Sequence, residues 1–171
     1  MKPLEMDVEQ LISQLVAQIQ QHPIAKSAPK IVGIKTGGVW IAKRLHQALN
    51  LEEPVGTINT AFYRDDFETR GFGSNVTPSD IPWDVDGAHI ILVDDVLFTG
   101  RTIRGAINEI FDFGRPASVT LVALVDRKGY RQLPFQADIV GVEINSDYPI
   151  KLQGPKNLTL CQQIPDEEIT A

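Results

Sequence analysis

An apolar run, residues 90–93, leads directly into two adjacent acids, Asp94 and Asp95. After Val96, Leu97 and Phe98 the chain reads Thr99-Gly100-Arg101-Thr102 and then takes on helical spacing. Paired acids at the end of a buried strand can hold sugar hydroxyls, ligate a divalent cation through oxygen, or favour a developing positive charge. A Thr-Gly-x-Thr turn entering a helix supplies backbone N–H groups, two hydroxyls and the positive end of a helix dipole, which together cradle a phosphate. The dipole contributes only about 0.3–1 kcal/mol, so direct hydrogen bonds must carry most of such an affinity. Gly100 allows close backbone approach. Taken singly, the acids could be solvent-facing turn residues and either threonine a helix cap; their succession at the end of one strand favours a site. The Gly-x-x-x-x-Gly-Lys-Ser/Thr and Gly-x-Gly-x-x-Gly spacings are absent, which removes support from ATPase and nicotinamide chemistry.

The elements around this segment predict the frame that holds it. Val8, Leu11, Ile12, Leu15, Val16 and Ile19 recur at helical spacing before Pro23, giving an amphipathic first helix. Residues 31–34 form a short buried strand, and Lys35-Thr36-Gly37-Gly38 is a turn. Val39, Ile41, Ala42, Leu45, Ala48 and Leu49 mark the helix after it. Residues 55–63 read as a strand and 64–86 as a long loop, of a length usually reserved for lids or disordered segments. Strand 89–93, a turn over 94–101 and a helix ended by Gly114 and Pro116 repeat the strand-turn-helix unit. Strand 118–125, a charged loop over 126–134 and strand 137–144 follow. Continuous apolar strands between helices indicate an α/β fold with a mostly parallel sheet flanked by helices. Ligands of such sheets bind at the carboxyl ends of the strands, where Asp94 to Thr102 falls.

The 171 residues, 43% of them hydrophobic, predict a single domain over 1–171 with one sizeable core. No stretch has the length of a membrane span or a signal peptide, and Cys161 is the lone cysteine, so a cytoplasmic protein with an inert thiol is expected. The last seven residues are expected to fray. His22, His46 and His89 lie within element patterns and read as packing or surface residues, and Trp40 reads as core packing on its helix. Trp83 is expected to pack within its loop. Net charge is −6, which argues against coating nucleic acid with the whole surface. The charge is uneven: residues 26–50 carry five basic and no acidic side chains, 51–100 two and ten, and 101–131 six and three. That alternation suits a pocket whose basic segments hold phosphates and whose acidic segment holds a metal or a sugar.

Residues 90–102 resemble the phosphoribosyl-diphosphate motif of type I phosphoribosyltransferases. More narrowly, Val32-Gly33-Ile34-Lys35-Thr36, Phe62-Tyr63-Arg64-Asp65-Asp66, Gly114-Arg115-Pro116 and Leu124-Val125-Asp126-Arg127 resemble the PyrR family, which joins uracil phosphoribosyltransferase activity to attenuation of pyrimidine operons. The resemblance covers residues 31 to about 145. It implies transfer of phosphoribosyl from phosphoribosyl diphosphate to uracil, giving UMP and diphosphate with Mg²⁺, in a homodimer or homotetramer. By resemblance Asp94 and Asp95 hold the ribose hydroxyls, reaching the metal directly or through those hydroxyls or water. Thr99, Gly100, Arg101 and Thr102, with Val96 beside them, bind the sugar phosphate, and Lys35, Thr36, Gly37 and Gly38 form the diphosphate loop.

Tyr63 to Asp66 begin a flexible hood, with Arg64, and Arg70 beyond it, reaching the diphosphate. Val125, Asp126 and Arg127 flank the base, chiefly through main-chain groups. The family pattern usually has arginine at Gly37, so a weaker grip on diphosphate is expected. A purine base such as hypoxanthine or guanine is the alternative substrate, and a UMP-responsive RNA-binding regulator the alternative function. Residues 1–25 contain one lysine and three acids, and Arg127-Lys128-Gly129-Tyr130-Arg131-Gln132 departs from the family's Arg-Gly-His-Arg-Glu. Weak or absent binding of leader RNA is the expectation, because phosphate contacts dominate RNA affinity.

Overall fold

The computed structural model describes residues 1–61 and 77–165. Five strands form the main sheet: β2 (Lys30–Ile34), β3 (Gly56–Ile58), β4 (His89–Leu97), β5 (Ser118–Arg127) and β6 (Ile139–Ile144). Their order is β3-β2-β4-β5-β6 and every pairing is parallel. Helices α1 (Val8–Gln21), α2 (Gly37–Leu49) and α3 (Arg101–Phe113) make the layers. Asp7 caps α1, its Oδ1 accepting from Gln10 N at 3.1 Å.

The continuous apolar strands are explained by two cores, one on each face. Along β4, Ile91 and Val93 join a cluster with Ile12, Leu15, Ile41 and Leu45 of α1 and α2. Ile90 and Leu92 join the opposite cluster with Ile103, Ala106 and Ile110 of α3. Successive strand side chains point to opposite faces, so burial on both sides leaves no room for polar alternation. Gly33 lets α2 close on β2, since a β-carbon there would lie 2.6 Å from Val39 Cα.

Several boundaries differ from the expectation. Of the strand expected over 55–63, the described part, residues 55–61, forms strand only over β3, and Asp80 bridges Thr57 from the opposite side. The turn expected from Asp94 begins later, because β4 runs on to Leu97. Asp94 pairs with Ala123 and Val96 with Val125, the ladder to β5 holding the acids in extended backbone. Asp126 and Arg127 belong to β5, paired with Glu143 and Ile144, rather than to the following loop. A second sheet escaped the sequence: β1 (Lys2–Pro3), β8 (Thr159–Gln162) and β7 (Ile150–Gln153), antiparallel in that order. Its Ile150, Leu152 and Leu160 extend the core cluster on the α1–α2 face, and Cys161 is buried within it. Trp40 packs against that cluster, and Trp83 donates to Pro54 O at 2.9 Å. Among the described residues no helix is long and apolar enough to cross a membrane.

Candidate active site

The carboxyl end of the sheet brings the two glycine turns together. Asp94 is 4% exposed and its Oδ1 accepts from Asp95 N at 3.0 Å. Asp95 is half-buried, its own Oδ1 accepting from Val96 N at 3.0 Å. These bonds fix the carboxylates at the strand end. The 35–38 turn lies against them: a β-carbon on Gly37 would collide with the Asp95 carboxylate, and one on Gly38 with the Val93 carbonyl. Position 37 is therefore a contact point with Asp95, not simply a place where an arginine is missing. Lys35 and Thr36 are joined by a cis peptide, and Thr36 stands at the N-cap position of α2 without a side-chain capping bond. The Lys35 ammonium donates to Thr77 Oγ1 at 2.8 Å and to Pro78 O at 3.2 Å, where the described chain resumes. Tyr63, Arg64, Asp65, Asp66 and Arg70 lie outside the described residues.

Gly100 begins α3 at φ 95°, the left-handed conformation that glycine adopts most easily. Thr99 is buried, and its Oγ1 accepts from Arg101 N at 3.2 Å. Thr102 is half-buried in the first turn of α3. The 99–102 turn thus presents a helix N-terminus, with no acidic residue in its first turn, beside the paired acids. Such an end attracts an anion.

Val125, Asp126 and Arg127, expected to flank a ligand, are 0%, 1% and 5% exposed. Asp126 spends its side chain internally: Oδ1 accepts from Arg131 Nη2 at 2.7 Å and Oδ2 from Lys128 Nζ at 2.9 Å. Lys128 also meets Glu143 at 3.1 Å, and its hydrogen bonds to Asp126 and Glu143 raise its pKa. Arg127 donates to Ser146 O at 2.9 Å, its guanidinium lying 4.3 Å from the Phe98 ring centroid and 4.5 Å from that of Tyr130. Phe98, Thr99, Gly129, Tyr130, Arg131 and Gln132 line a cavity of about 590 Å³. Phe98, Tyr130 and Gln132 were not singled out as site residues, because what brings them there is the adjacency of β4 and β5. The hint in the sequence is Phe98 itself, which stands directly before Thr99 in the 90–102 run.

Tyr130 donates to Asp147 Oδ1 at 2.6 Å, and this hydrogen bond is the main reason its pKa lies above the ordinary value of 10.0. The phenol keeps its proton through the physiological range, so the tether to Asp147 is present there and is lost only as pH rises through the raised value. A titration followed by phenolate absorbance should show a component ionising above the ordinary tyrosine range. Tyr130→Phe should remove that component; if the component it removes lies instead in the ordinary tyrosine range, the tether does not persist in solution.

Among the described residues no group of three or more His, Cys, Asp or Glu side chains could hold a metal ion. Two adjacent carboxylates nonetheless suit Mg²⁺, which commonly takes one or two protein carboxylates and completes its shell with substrate oxygens and water.

The phosphoribosyl transferase domain model matches residues 2–157. The Bifunctional protein PyrR of Pseudomonas paraeruginosa is 48% identical over 156 residues, 90% of each chain. That of Nitrosococcus oceani is 46% identical over 171 residues, 96% of each chain. Among solved structures, the hypoxanthine phosphoribosyltransferase of Trypanosoma cruzi superposes with a TM-score of 0.69 at 20% identity, covering 97% of this chain and 98% of its own. A hypoxanthine-guanine phosphoribosyltransferase from Bacillus anthracis gives 0.66 at 21%, covering 84% of each. At those identities the solved structures speak for the fold alone, whereas the sequence relatives match nearly end to end. With its acids, its two glycine turns and its parallel sheet in this arrangement, the chain belongs to the phosphoribosyltransferase family and, within it, to the PyrR proteins.

Proposed function

We propose that the protein transfers phosphoribosyl from phosphoribosyl diphosphate to uracil, yielding UMP and diphosphate. The observation that carries this reading is the convergence of Asp94 and Asp95 with both glycine turns at one end of the sheet, in a chain nearly half identical to PyrR proteins. The C1–O bond to diphosphate breaks, the C1–N1 bond to uracil forms, and the N1 proton leaves with the departing diphosphate. The transition state carries positive charge on the ribose ring. Asp94 and Asp95 oppose that charge and hold the ribose hydroxyls, while Thr99, Gly100, Arg101 and Thr102 hold the 5′-phosphate against the start of α3. Lys35, Thr36, Gly37 and Gly38 receive the diphosphate. Asp94 and Asp95, directly or through the ribose hydroxyls or water, would hold Mg²⁺, which would supply charge neutralisation of the leaving group. Asp126 is committed to Arg131 and Lys128 and receives no proton-transfer role. Val125 and Arg127, buried in β5, support the base through their main chain.

Purified protein incubated with phosphoribosyl diphosphate and Mg²⁺ should form nucleotide with uracil and not with hypoxanthine or guanine. Turnover of a purine alone would overturn the substrate, and no turnover with any base would overturn the enzyme reading. The second activity implied by the relatives' name should be weak here. Arg127 is 5% exposed and Arg131 pairs with Asp126, so neither extends freely toward RNA phosphates. Tight UMP-dependent binding of a pyrimidine leader RNA at physiological salt would contradict this.

A further inference from the structure

Arg131 belongs to a run that looks basic in sequence, yet its side chain is only 25% exposed and faces inward. One end of its guanidinium holds Asp126 Oδ1 at 2.7 Å, and Nη1 donates to the carbonyl of Phe98. That carbonyl lies one residue past the end of β4, beyond the ladder, and a partly buried backbone acceptor there needs a partner from elsewhere. The next two residues continue the attachment: Gln132 N and Leu133 N both donate to Thr99 O, at 2.9 and 3.0 Å. Arg101 Nε returns the contact by donating to Gln132 Oε1 at 2.9 Å. Residues 131–133 therefore hold both carbonyls that immediately precede Gly100, the residue whose left-handed backbone opens the cradle. Asp126, 1% exposed and anchored in β5, fixes Arg131 from behind.

We propose that Asp126 and Arg131 form an internal strut for the 5′-phosphate cradle. Arg131 is a positioning residue for phosphoribosyl diphosphate, acting through the Phe98 and Thr99 carbonyls without touching the ligand. The inference rests on reading 99–102 as the 5′-phosphate site, and it explains why a buried acid sits at the end of β5 without serving the chemistry. Losing the strut should loosen the cradle before it affects the base or the acids. Arg131→Gln should raise KM for phosphoribosyl diphosphate by about tenfold, the worth of one charge-assisted hydrogen bond, with kcat and KM for uracil changed by about twofold at most. Arg131→Lys keeps the charge facing Asp126 but cannot reach the Phe98 carbonyl at the same time, so its KM should fall between the two.

Hydrogen exchange of the unliganded protein reads the strut directly. In Arg131→Gln the amides of Gln132 and Leu133 and of the first turn of α3 should exchange faster, with those of β2 and α2 unchanged. Calorimetric titration with ribose 5-phosphate separates the strut from the activity. Weaker binding to Arg131→Gln in a protein that does not turn over uracil would keep the strut and discard the substrate. Uracil turnover with an unchanged KM for phosphoribosyl diphosphate, or exchange raised evenly across the chain, would discard the strut. If Arg131→Gln fails to fold, Arg131→Lys and Asp126→Asn carry the same comparison, and wild-type exchange in both would overturn it.

Discussion

Replacing Asp94 and Asp95 together with asparagine should lower kcat by about 10²–10³-fold while leaving the protein folded, the loss expected when an aligned electrostatic contact to a transition state is removed. The substitution isolates charge. Asp94 Oδ1 accepts from Asp95 N and Asp95 Oδ1 from Val96 N, and an asparagine carbonyl can accept both bonds. The β4 ladder on either side is backbone and does not change. On the proposed mechanism, what disappears is negative charge beside the carbon that becomes cationic. Of the single variants, Asp95→Asn should lose more, because Asp95 is half-buried against the 35–38 turn whereas Asp94 is 4% exposed. The check is steady-state kinetics beside thermal unfolding followed by circular dichroism. A double variant with wild-type kcat would remove both residues from the mechanism.

The part of this site that sequence could reveal is the part built by neighbours in the chain. An apolar run, two acids, a glycine and a helical period lie within thirteen residues, 90–102, and each signal is local. The end of β4 was harder to see, since aspartate disfavours strands. What extends the strand to Leu97 is the ladder with β5, a tertiary effect that overrides propensity. The link from Arg131 to Phe98 spans 33 positions and exists because β5 is the neighbour of β4. No spacing rule along the chain reports it, so Arg131 read as one more basic residue. The small sheet is an extreme case: Lys2 pairs with Gln162, and β1 has only two residues. A strand that short has no period to detect.

The meeting of the two turns yields the sharpest test, because Gly37 and Gly38 are adjacent yet answer to different partners. A β-carbon on Gly38 would collide with the Val93 carbonyl and lie 3.2 Å from Asp94 Cα. Both atoms are backbone of a central strand, with Val93 registered between Gly33 of β2 and Val122 of β5. The strand cannot yield without breaking two ladders, so α2 and the turn before it must withdraw. Overpacking of this kind costs about 1–3 kcal/mol, which for a chain of this size lowers Tm by about 2–4 °C per kcal/mol. The three atoms nearest a β-carbon on Gly37 are instead side-chain atoms of Asp95, among them Cγ at 2.7 Å and Cβ at 3.0 Å, and the closest of them, the carboxylate, can turn away where strand backbone cannot. Gly37→Ala should therefore keep its Tm within about 2 °C, a surface-like stability effect, and lose kcat by displacing Asp95. Gly38→Ala should lower Tm and raise KM for phosphoribosyl diphosphate by about tenfold or more as the turn retreats. Wild-type melting and kinetics in Gly38→Ala would mean that the 35–38 turn does not rest on β4. The reverse ranking, with Gly37→Ala the less stable, would place the constraint on Asp95 rather than on the strand beneath it.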